Sequence, residues 1–398
     1  MSSILEYIHW RGDLLFSQDP LNAVDNLIFS ELAYCDLEGL VPQTFEEGGV
    51  PLSRVCDGYL SAGCDQKELI NNPRPLLIAA AASRRFRDVL LSAFRDVVDE
   101  EKQEQFSAVT FTPPQGPVYV AYRGTDTTLT GWREDFNLSF LAETPAQQQA
   151  ARYLTEAVRH TGRPVIAGGH SKGGNLAVYA AAFCEQDARD RLMYVCSNDG
   201  PGFNGKVADS AEYEAILPKV RLFLPESSLV GVLMANKGKR ILVKSTARGP
   251  QQHDPYTWEV MGNAFVTAEN RTLSSLFLDE TLRRWLDSLS DAEREAFTAA
   301  IFDSLQEAGD VKTVSLRQNP ENIVRALSAG AVILTGSRQK EFLAALQKLA
   351  AAGGSILREG SLKKIQESMT TLRSTLQRLT RPRDASDRPD GARETGPA

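Results

Sequence analysis

The stretch that decides the fold is Val165-Ile-Ala-Gly-Gly-His-Ser-Lys-Gly-Gly-Asn175. An apolar run enters it, the pattern Gly-x-Ser-x-Gly follows at 169–173, and a helix-forming run, 175–183, leaves it. This order of strand, sharp turn and helix is what a nucleophile elbow requires, because the turn lifts the serine hydroxyl out at the edge of a sheet. The N–H groups at the start of the helix favour negative charge beside the serine. The stretch therefore predicts Ser171 as a catalytic nucleophile.

The sequence on either side of this elbow alternates between apolar runs and helical spacing. Two short apolar runs separated by a Pro-Pro-Gln-Gly turn predict a β-hairpin, and further strands follow the elbow after intervening helices. The predicted strands are 106–112, 117–123, 164–167, 192–196, 220–224 and 241–244, and the predicted helices include 19–34, 84–100 and 144–160. The pattern indicates an α/β fold, namely a mostly parallel sheet flanked by helices.

The strand pattern stops near residue 270, so we expect three parts. Residues 1–268 are predicted to form the α/β domain, and residues 269–379 a helical C-terminal region. Residues 380–398 are rich in Pro, Arg, Asp and Gly and contain no aromatic residue. This composition predicts a disordered tail.

Composition argues against several classes of function. The net charge of −7 gives no basic excess, so we expect no nucleic-acid partner. No window approaches the roughly 18 apolar residues of a membrane helix, and residues 1–10 do not resemble a secretory signal. The five cysteines are scattered without a C-x-x-C pair, which favours a cytoplasmic location. No metal-ligand spacing or nucleotide fingerprint occurs, so no metal or cofactor is expected.

A serine nucleophile needs a base, and the chain has only four histidines. His9 and His160 lie before the elbow, and His170 is held inside it beside the nucleophile. In α/β-hydrolases the chain order is serine, acid, histidine. His253 is the only histidine after Ser171, so it is the predicted base.

The acid should lie between the serine and the histidine, after a strand, and the sequence leaves it open. Glu226 follows the second strand after the elbow, which is the commoner position, and is favoured. Asp199 follows the first of these strands, where a Gly-Pro-Gly turn gives it an alternative role in capping its own backbone. Asp254, beside His253, is a third and weaker choice.

An acyl-transfer site also needs two donors for the oxyanion. One is the backbone N–H of Lys172, which follows the nucleophile. The other is expected from Thr125, at the end of an early strand, through its amide, its hydroxyl or both. The side chain of Lys172 could attract an anionic substrate, although a pairing with a nearby carboxylate is favoured.

These residues resemble the lipase class 3 branch of the α/β-hydrolases. The resemblance depends on the run Tyr122-Arg-Gly-Thr125 through Trp132 to Asp135, on the elbow, and on the turn at Asp199. The sequence is also similar to a bacterial family called Mbeg1-like, long labelled a domain of unknown function. That similarity extends over roughly residues 1–265 and is carried by 7–13, 22–34, 169–175 and 252–254.

The resemblance implies Ser171 as nucleophile, His253 as base, and Thr125 with Lys172 as oxyanion donors. One position departs from the class 3 pattern, which carries its acid in a D-x-V-P motif. The corresponding stretch here is Ser228-Leu-Val-Gly, so a serine stands where the aspartate is expected.

The sequence therefore predicts a serine hydrolase of the lipase or esterase type that cleaves a small-molecule ester or lipid. Transfer of the acyl group to an acceptor other than water remains an open variant. Apolar residues in the surrounding loops could hold an acyl chain, namely Phe203, Leu229, Val230, Val232, Leu233 and Met234.

An alternative is a hydrolase-fold scaffold with weakened catalysis that binds a protein partner through its helical C-terminal region. The missing aspartate motivates it. Phe342, Leu346 and Leu349 also fall on one face of a predicted helix, 337–352, and this face could meet a partner or pack on the rest of the chain.

Overall fold

The structure, a computed structural model, describes residues 2–62, 72–126, 128–307 and 336–358. The predicted tail, 380–398, lies outside these residues. The described part is built around an eight-stranded sheet whose strands follow one another in chain order. The strands are β1 (Val50–Pro51), β2 (Leu90–Asp99), β3 (Glu104–Thr112), β4 (Val118–Tyr122), β5 (Val165–His170), β6 (Leu192–Asn198), β7 (Val220–Pro225) and β8 (Lys239–Val243).

The sheet changes direction at β4. Strands β1 to β4 pair antiparallel, whereas β4 to β8 pair parallel through successive crossovers. The elbow therefore follows an interior parallel strand, with β4 on one side and β6 on the other. The predicted α/β fold with a mostly parallel sheet and flanking helices is confirmed. A small antiparallel pair, β9 (Val260–Met261) with β10 (Ala264–Phe265), lies apart from the main sheet.

Helices connect the strands and cover the sheet. They are α1 (Ile4–Arg11), α2 (Ala23–Leu32), α3 (Leu52–Ala62), α4 (Arg74–Ala82), α5 (Leu129–Asn137), α6 (Pro145–His160), α7 (Lys172–Phe183), α8 (Gln186–Arg191), α9 (Gly205–Ala208), α10 (Ala211–Ile216), α11 (Leu273–Asp287), α12 (Asp291–Glu307) and α13 (Gly336–Arg358).

Both faces of the sheet are buried, because side chains alternate between two cores. In β4, Tyr119 and Ala121 pack into the core formed with helices α1 to α4. Val118 and Val120 point the other way, into the core formed with α6 and α7. This alternation with a period of two is what a strand requires, and covering helices on both faces are what parallel sheets require.

Two sequence-based predictions about the N-terminal half are wrong. The predicted helix over 84–100 is instead β2, which pairs with β3 along its length. The register shifts between Ser92 and Arg95, and Ala93 has a φ of 51°. Such a β-bulge adds a residue and breaks the alternation of period two, which is why the segment resembles a helix in sequence. The glycines, prolines and cysteines of 40–65 predict a loop, but this segment contains the whole of α3.

The C-terminal helices α11, α12 and α13 share a small core of their own. Phe342 on α13 is only 1% exposed, and its ring stacks on Phe297 of α12 with centroids 5.1 Å apart. Leu346 packs against the same cluster. Two of the three residues of the apolar face on which the scaffold alternative depended, Phe342 and Leu346, are therefore packed against the chain's own helices.

Within the described ranges, no helix is both long enough and apolar enough to cross a membrane.

Candidate active site

The elbow places Ser171 between β5 and α7 in a strained conformation. Its φ is 57° and its ψ is −131°, and its backbone N–H donates to the carbonyl of Asn198 on β6 at 3.0 Å. A Cβ at Gly173 would come within 2.1 Å of the carbonyl oxygen of Tyr122, and one at Gly169 within 2.4 Å of Gly173 itself. Both glycines are therefore required by close approach of the backbone. The turn holds the serine at the carboxyl end of the sheet, as the sequence predicted.

The predicted base comes from a 3₁₀ turn, Gly249–His253, that follows β8. Nε2 of His253 lies 3.1 Å from Oγ of Ser171. The main chain of the same histidine is fixed by the elbow, because its carbonyl lies 2.9 Å from Nε2 of His170. The neighbouring Gln252 accepts a hydrogen bond from the backbone N–H of Ser227 at 2.8 Å. The histidine loop is thus attached to both the elbow and the segment after β7.

The carboxylate at the other side of the imidazole is Asp199. Its Oδ2 lies 2.6 Å from Nδ1 of His253, and its side chain is fully buried. A carboxylate accepts hydrogen bonds, so Nδ1 carries the proton, and Nε2 is left to accept from the hydroxyl of Ser171. The side chains of Asp199, His253 and Ser171 therefore form one continuous chain of hydrogen bonds.

The structure places Asp199, and not the favoured Glu226, beside the imidazole of His253. Glu226 does follow β7, but its backbone is paired with Val243 and Thr272, and its side chain makes no hydrogen bond to His253. Asp254, the third choice, uses its Oδ1 to accept from the backbone N–H of Tyr256 at 3.0 Å, as an ordinary turn residue. Neither carboxylate occupies the place beside the imidazole.

The second oxygen of Asp199 is held by the segment that departs from the class 3 motif. The hydroxyl of Ser228 donates to Oδ1 at 2.5 Å, and the backbone N–H of Gly231 donates to the same oxygen at 3.1 Å. Sequence reasoning missed these two contacts. The departure itself was the available signal, because a serine in place of an acid provides a donor for an acid located elsewhere.

The expected oxyanion donors lie beside the nucleophile. Gly124 packs so closely that a Cβ there would be 3.2 Å from Cβ of Ser171, and the next residue, Thr125, shares a cavity with Ser171 and Lys172. The hydroxyl of Thr125 donates to Oδ2 of Asp135 at 2.5 Å. Its proton is therefore engaged, and the amide is the donor that Thr125 can offer. Lys172 is the first residue of α7, where backbone N–H groups lack partners within the helix.

The side chain of Lys172 points away from the cavity into a buried polar cluster. Its ammonium lies 2.9 Å from Oε2 of Glu134 and donates to the carbonyl and the side-chain oxygen of Gln105 at 2.8 and 2.7 Å. The lysine side chain is 1% exposed. The favoured interpretation, a pairing with a carboxylate, agrees with these contacts, whereas attraction of an anionic substrate does not.

The cavity over Ser171 has a volume of about 240 Å³. Of the loop residues expected to hold an acyl chain, Val230, Leu233 and Met234 line it, whereas Phe203 belongs to the core beneath. Much of the remaining wall comes from α11 and α12, which sequence reasoning did not connect with the site. Within the described part of the chain, no group of three or more His, Cys, Asp or Glu residues could hold a metal ion.

The fold and the site together define an α/β protein with a lipase-like hydrolase fold. The sequence profile of the Mbeg1-like family matches residues 80–303, more than half of the chain, and the chain belongs to that family. No curated protein matches the sequence.

Solved structures with some similarity include the native Rhizomucor miehei lipase propeptide complex and M37 lipase. The first is 15% identical with a TM-score of 0.32, and the match covers 48% of this chain and 64% of that one, slightly less than two thirds of its length. The second is 14% identical with a TM-score of 0.33, and the match covers 52% of this chain and 68% of that one.

Proposed function

We propose that this protein is a serine hydrolase that cleaves a carboxylic ester through Ser171, His253 and Asp199. The observation that carries the proposal is the pair of distances at His253. Its Nε2 is 3.1 Å from the hydroxyl of Ser171, and its Nδ1 is 2.6 Å from the carboxylate of Asp199. A base in contact with the nucleophile and an acid that orients the base are the groups that ester hydrolysis by a serine needs.

In the proposed reaction, Oγ of Ser171 attacks the carbonyl carbon while Nε2 of His253 takes the hydroxyl proton. The negative charge that develops on the carbonyl oxygen is met by the backbone N–H groups of Thr125 and Lys172. Collapse of this intermediate expels the alcohol, which takes the proton from His253. His253 then takes a proton from a water molecule as the water attacks the acyl-enzyme. This step releases the carboxylic acid product and regenerates Ser171. Asp199 keeps its charge throughout and stabilises the imidazolium.

Two further observations favour an active enzyme over the scaffold alternative. A buried carboxylate does stand beside the imidazole, although not at the position of the class 3 acid. The apolar face of α13 is covered by α12 rather than open to a partner. The cytoplasmic location is part of the proposal. The four cysteines of the described segments are unpaired thiols, as a reducing compartment favours.

The test is covalent labelling of the full chain by a fluorophosphonate probe, together with hydrolysis of p-nitrophenyl esters. We expect labelling of the wild type and none of Ser171→Ala. Ser139 also lines the cavity, so Ser139→Ala is the matched control and should label like the wild type. Folded wild-type protein that neither labels nor hydrolyses any ester would overturn the proposal.

A further inference from the structure

The C-terminal helices contribute directly to the cavity over Ser171. Leu282, Trp285 and Leu286 of α11 line it, as does Phe297 of α12. Ser171 and the two expected oxyanion donors, Thr125 and Lys172, line the same cavity. The reacting groups therefore come from the α/β part, whereas much of the apolar wall comes from the helices.

Helix α11 is hydrogen-bonded to the segment after β7 that contacts Asp199. At the N-terminus of α11, the backbone N–H of Thr272 donates to the carbonyl of Glu226 at 2.9 Å. The hydroxyl of Ser275 donates to the carbonyl of Ser228 at 2.7 Å in a buried contact. On the other side of the cavity, Arg294 of α12 donates to the carbonyl of Ser139, just after α5, at 2.8 Å. The helices are thus a fixed wall of the site.

The aromatic part of this wall is held in place by its own contacts. The indole N–H of Trp285 donates to the carbonyl of Ala345 on α13 at 2.9 Å. Its ring packs edge to face on Phe297, with centroids 5.3 Å apart. The polar atom of the tryptophan is therefore satisfied away from the cavity. The ring offers the cavity an apolar surface.

We propose that α11 and α12 form an acyl-binding pocket and that the substrate is an ester with a single unbranched acyl chain of medium length. The proposal rests on the proposed function, because Ser171 gives the pocket its reacting end. The length follows from the volume. A 150 Å³ apolar cavity holds benzene, so about 240 Å³ accommodates on the order of ten carbon atoms. We therefore expect an optimum at roughly eight to ten acyl carbons.

Binding is tested without catalysis in the full-length Ser171→Ala protein. Linear 1-alkanols from butan-1-ol to dodecan-1-ol are titrated by calorimetry. We expect affinity to rise by about fourfold per added methylene, the factor for burying one CH₂ group, and to level off near ten carbons. Absence of binding at every chain length would overturn the proposal.

Two substitutions in the helical wall should shift the length limit in opposite directions. Leu286→Trp fills the pocket and should weaken decan-1-ol binding by at least about tenfold, because several methylenes of the alkanol can no longer be buried. Binding of butan-1-ol should be unchanged. Leu282→Ala enlarges the pocket and should extend the rise to longer alkanols. General destabilisation cannot produce opposite shifts. Leu343→Trp, on the exposed side of α13, is the control and should leave the series unchanged.

A variant outside the helices covers the case in which Leu286→Trp does not fold. Val230→Trp narrows the same cavity from the loop after β7 and should also weaken decan-1-ol more than butan-1-ol. If neither the filling variants nor Leu282→Ala alters the chain-length profile, the pocket is not where the chain binds, and the proposal fails.

Hydrolysis of p-nitrophenyl esters separates this proposal from the proposed function. With the unsubstituted protein, kcat/KM should rise to roughly eight to ten acyl carbons and then fall. If alkanol binding responds to the variants but no ester of any length is hydrolysed, the proposed enzymatic function is wrong and the acyl-binding pocket stands. If esters are hydrolysed at a rate independent of chain length and no alkanol binds, the acyl-binding pocket is wrong and the proposed hydrolase activity stands.

Discussion

The hydroxyl of Ser228 donates to Oδ1 of Asp199 at 2.5 Å, while Oδ2 of the same aspartate lies 2.6 Å from Nδ1 of His253. The serine therefore fixes the carboxylate that orients the imidazole. It stands at the position where the class 3 motif carries its acid. The carboxylate beside the imidazole, Asp199, directly follows β6 instead, and Ser228 supplies one of its hydrogen-bond donors.

Ser228→Ala should lower kcat by about tenfold. Loss of one hydrogen bond to a charged group removes about 1.5–3 kcal/mol of interaction, and the N–H of Gly231 still holds the same oxygen. Ser228→Thr retains a hydroxyl and should recover most of the rate. Ser227→Ala is the matched control, because the Ser227 hydroxyl pairs with Thr272 rather than with the aspartate. Equal losses in the Ser227 and Ser228 variants would contradict a specific role in positioning Asp199.

Asp199→Asn should reduce kcat by about 10⁴, because an amide at this place favours the wrong tautomer of the histidine. The measurement is steady-state hydrolysis of a p-nitrophenyl ester. Glu226→Gln removes the carboxylate that the sequence favoured, and its rate should equal that of the wild type. A large loss in Glu226→Gln with a small one in Asp199→Asn would reverse the assignment.

Thr125→Val tests which group of the threonine serves the oxyanion. Because its hydroxyl donates to Asp135, the amide is the expected donor, and valine keeps that amide. The loss in kcat should therefore be smaller than the 10²–10³ that removal of an oxyanion donor typically causes. Thr125→Ser should retain the contact with Asp135 and behave like the wild type. A full loss in the valine variant would assign the hydroxyl to the oxyanion instead.

Lys172→Met should destabilise the fold by about 3–5 kcal/mol, because it leaves the buried carboxylate of Glu134 without its cationic partner. Urea unfolding followed by circular dichroism measures this loss. The double variant with Glu134→Gln should lose less than the sum of the two single variants. The preference between anionic and neutral esters should be unchanged in Lys172→Met at low and high salt. A salt-dependent change in that preference would restore a role in substrate attraction.

The buried cysteines should be inert in the native protein. Burial raises the pKa of Cys184 to about 11 and that of Cys196 to about 12, and Cys35 and Cys56 are raised as well. The thiolate is the reactive form, and at pH 8 a raised pKa leaves less of it than in a free cysteine. In a Cys64→Ser background, a disulfide reagent should detect none of these four thiols before unfolding and all four after it. Rapid reaction of the native protein would show that these cores open.

Local rules were sufficient for some parts of the molecule. The elbow at Ser171 could be found because its glycines, its entering strand and its leaving helix are adjacent in sequence. His253 could be found because chain order left a single candidate. The region of β2 could not, because a bulge at Ala93 disturbs the alternation and only pairing with β3 holds the strand extended.

The acid shows where sequence order stops being informative. Asp199 and Glu226 both follow strands that neighbour the elbow, and both lie between the serine and the histidine. The choice depends on which carboxylate faces the imidazole. Asp199 has a φ of 51°, which is a backbone conformation that Asp tolerates better than most residues, and its oxygens are anchored by Ser228 and Gly231.

The sequence by itself determined the α/β class, the serine elbow and the histidine, because each depends on residue types at short and fixed spacing. Tertiary structure alone decided which carboxylate lies beside His253, the burial of Lys172 against Glu134, and the contribution of α11 and α12 to the cavity over Ser171. These features join segments separated by tens of residues or more. Their contacts depend on how strands, loops and helices pack, and no local pattern encodes that packing.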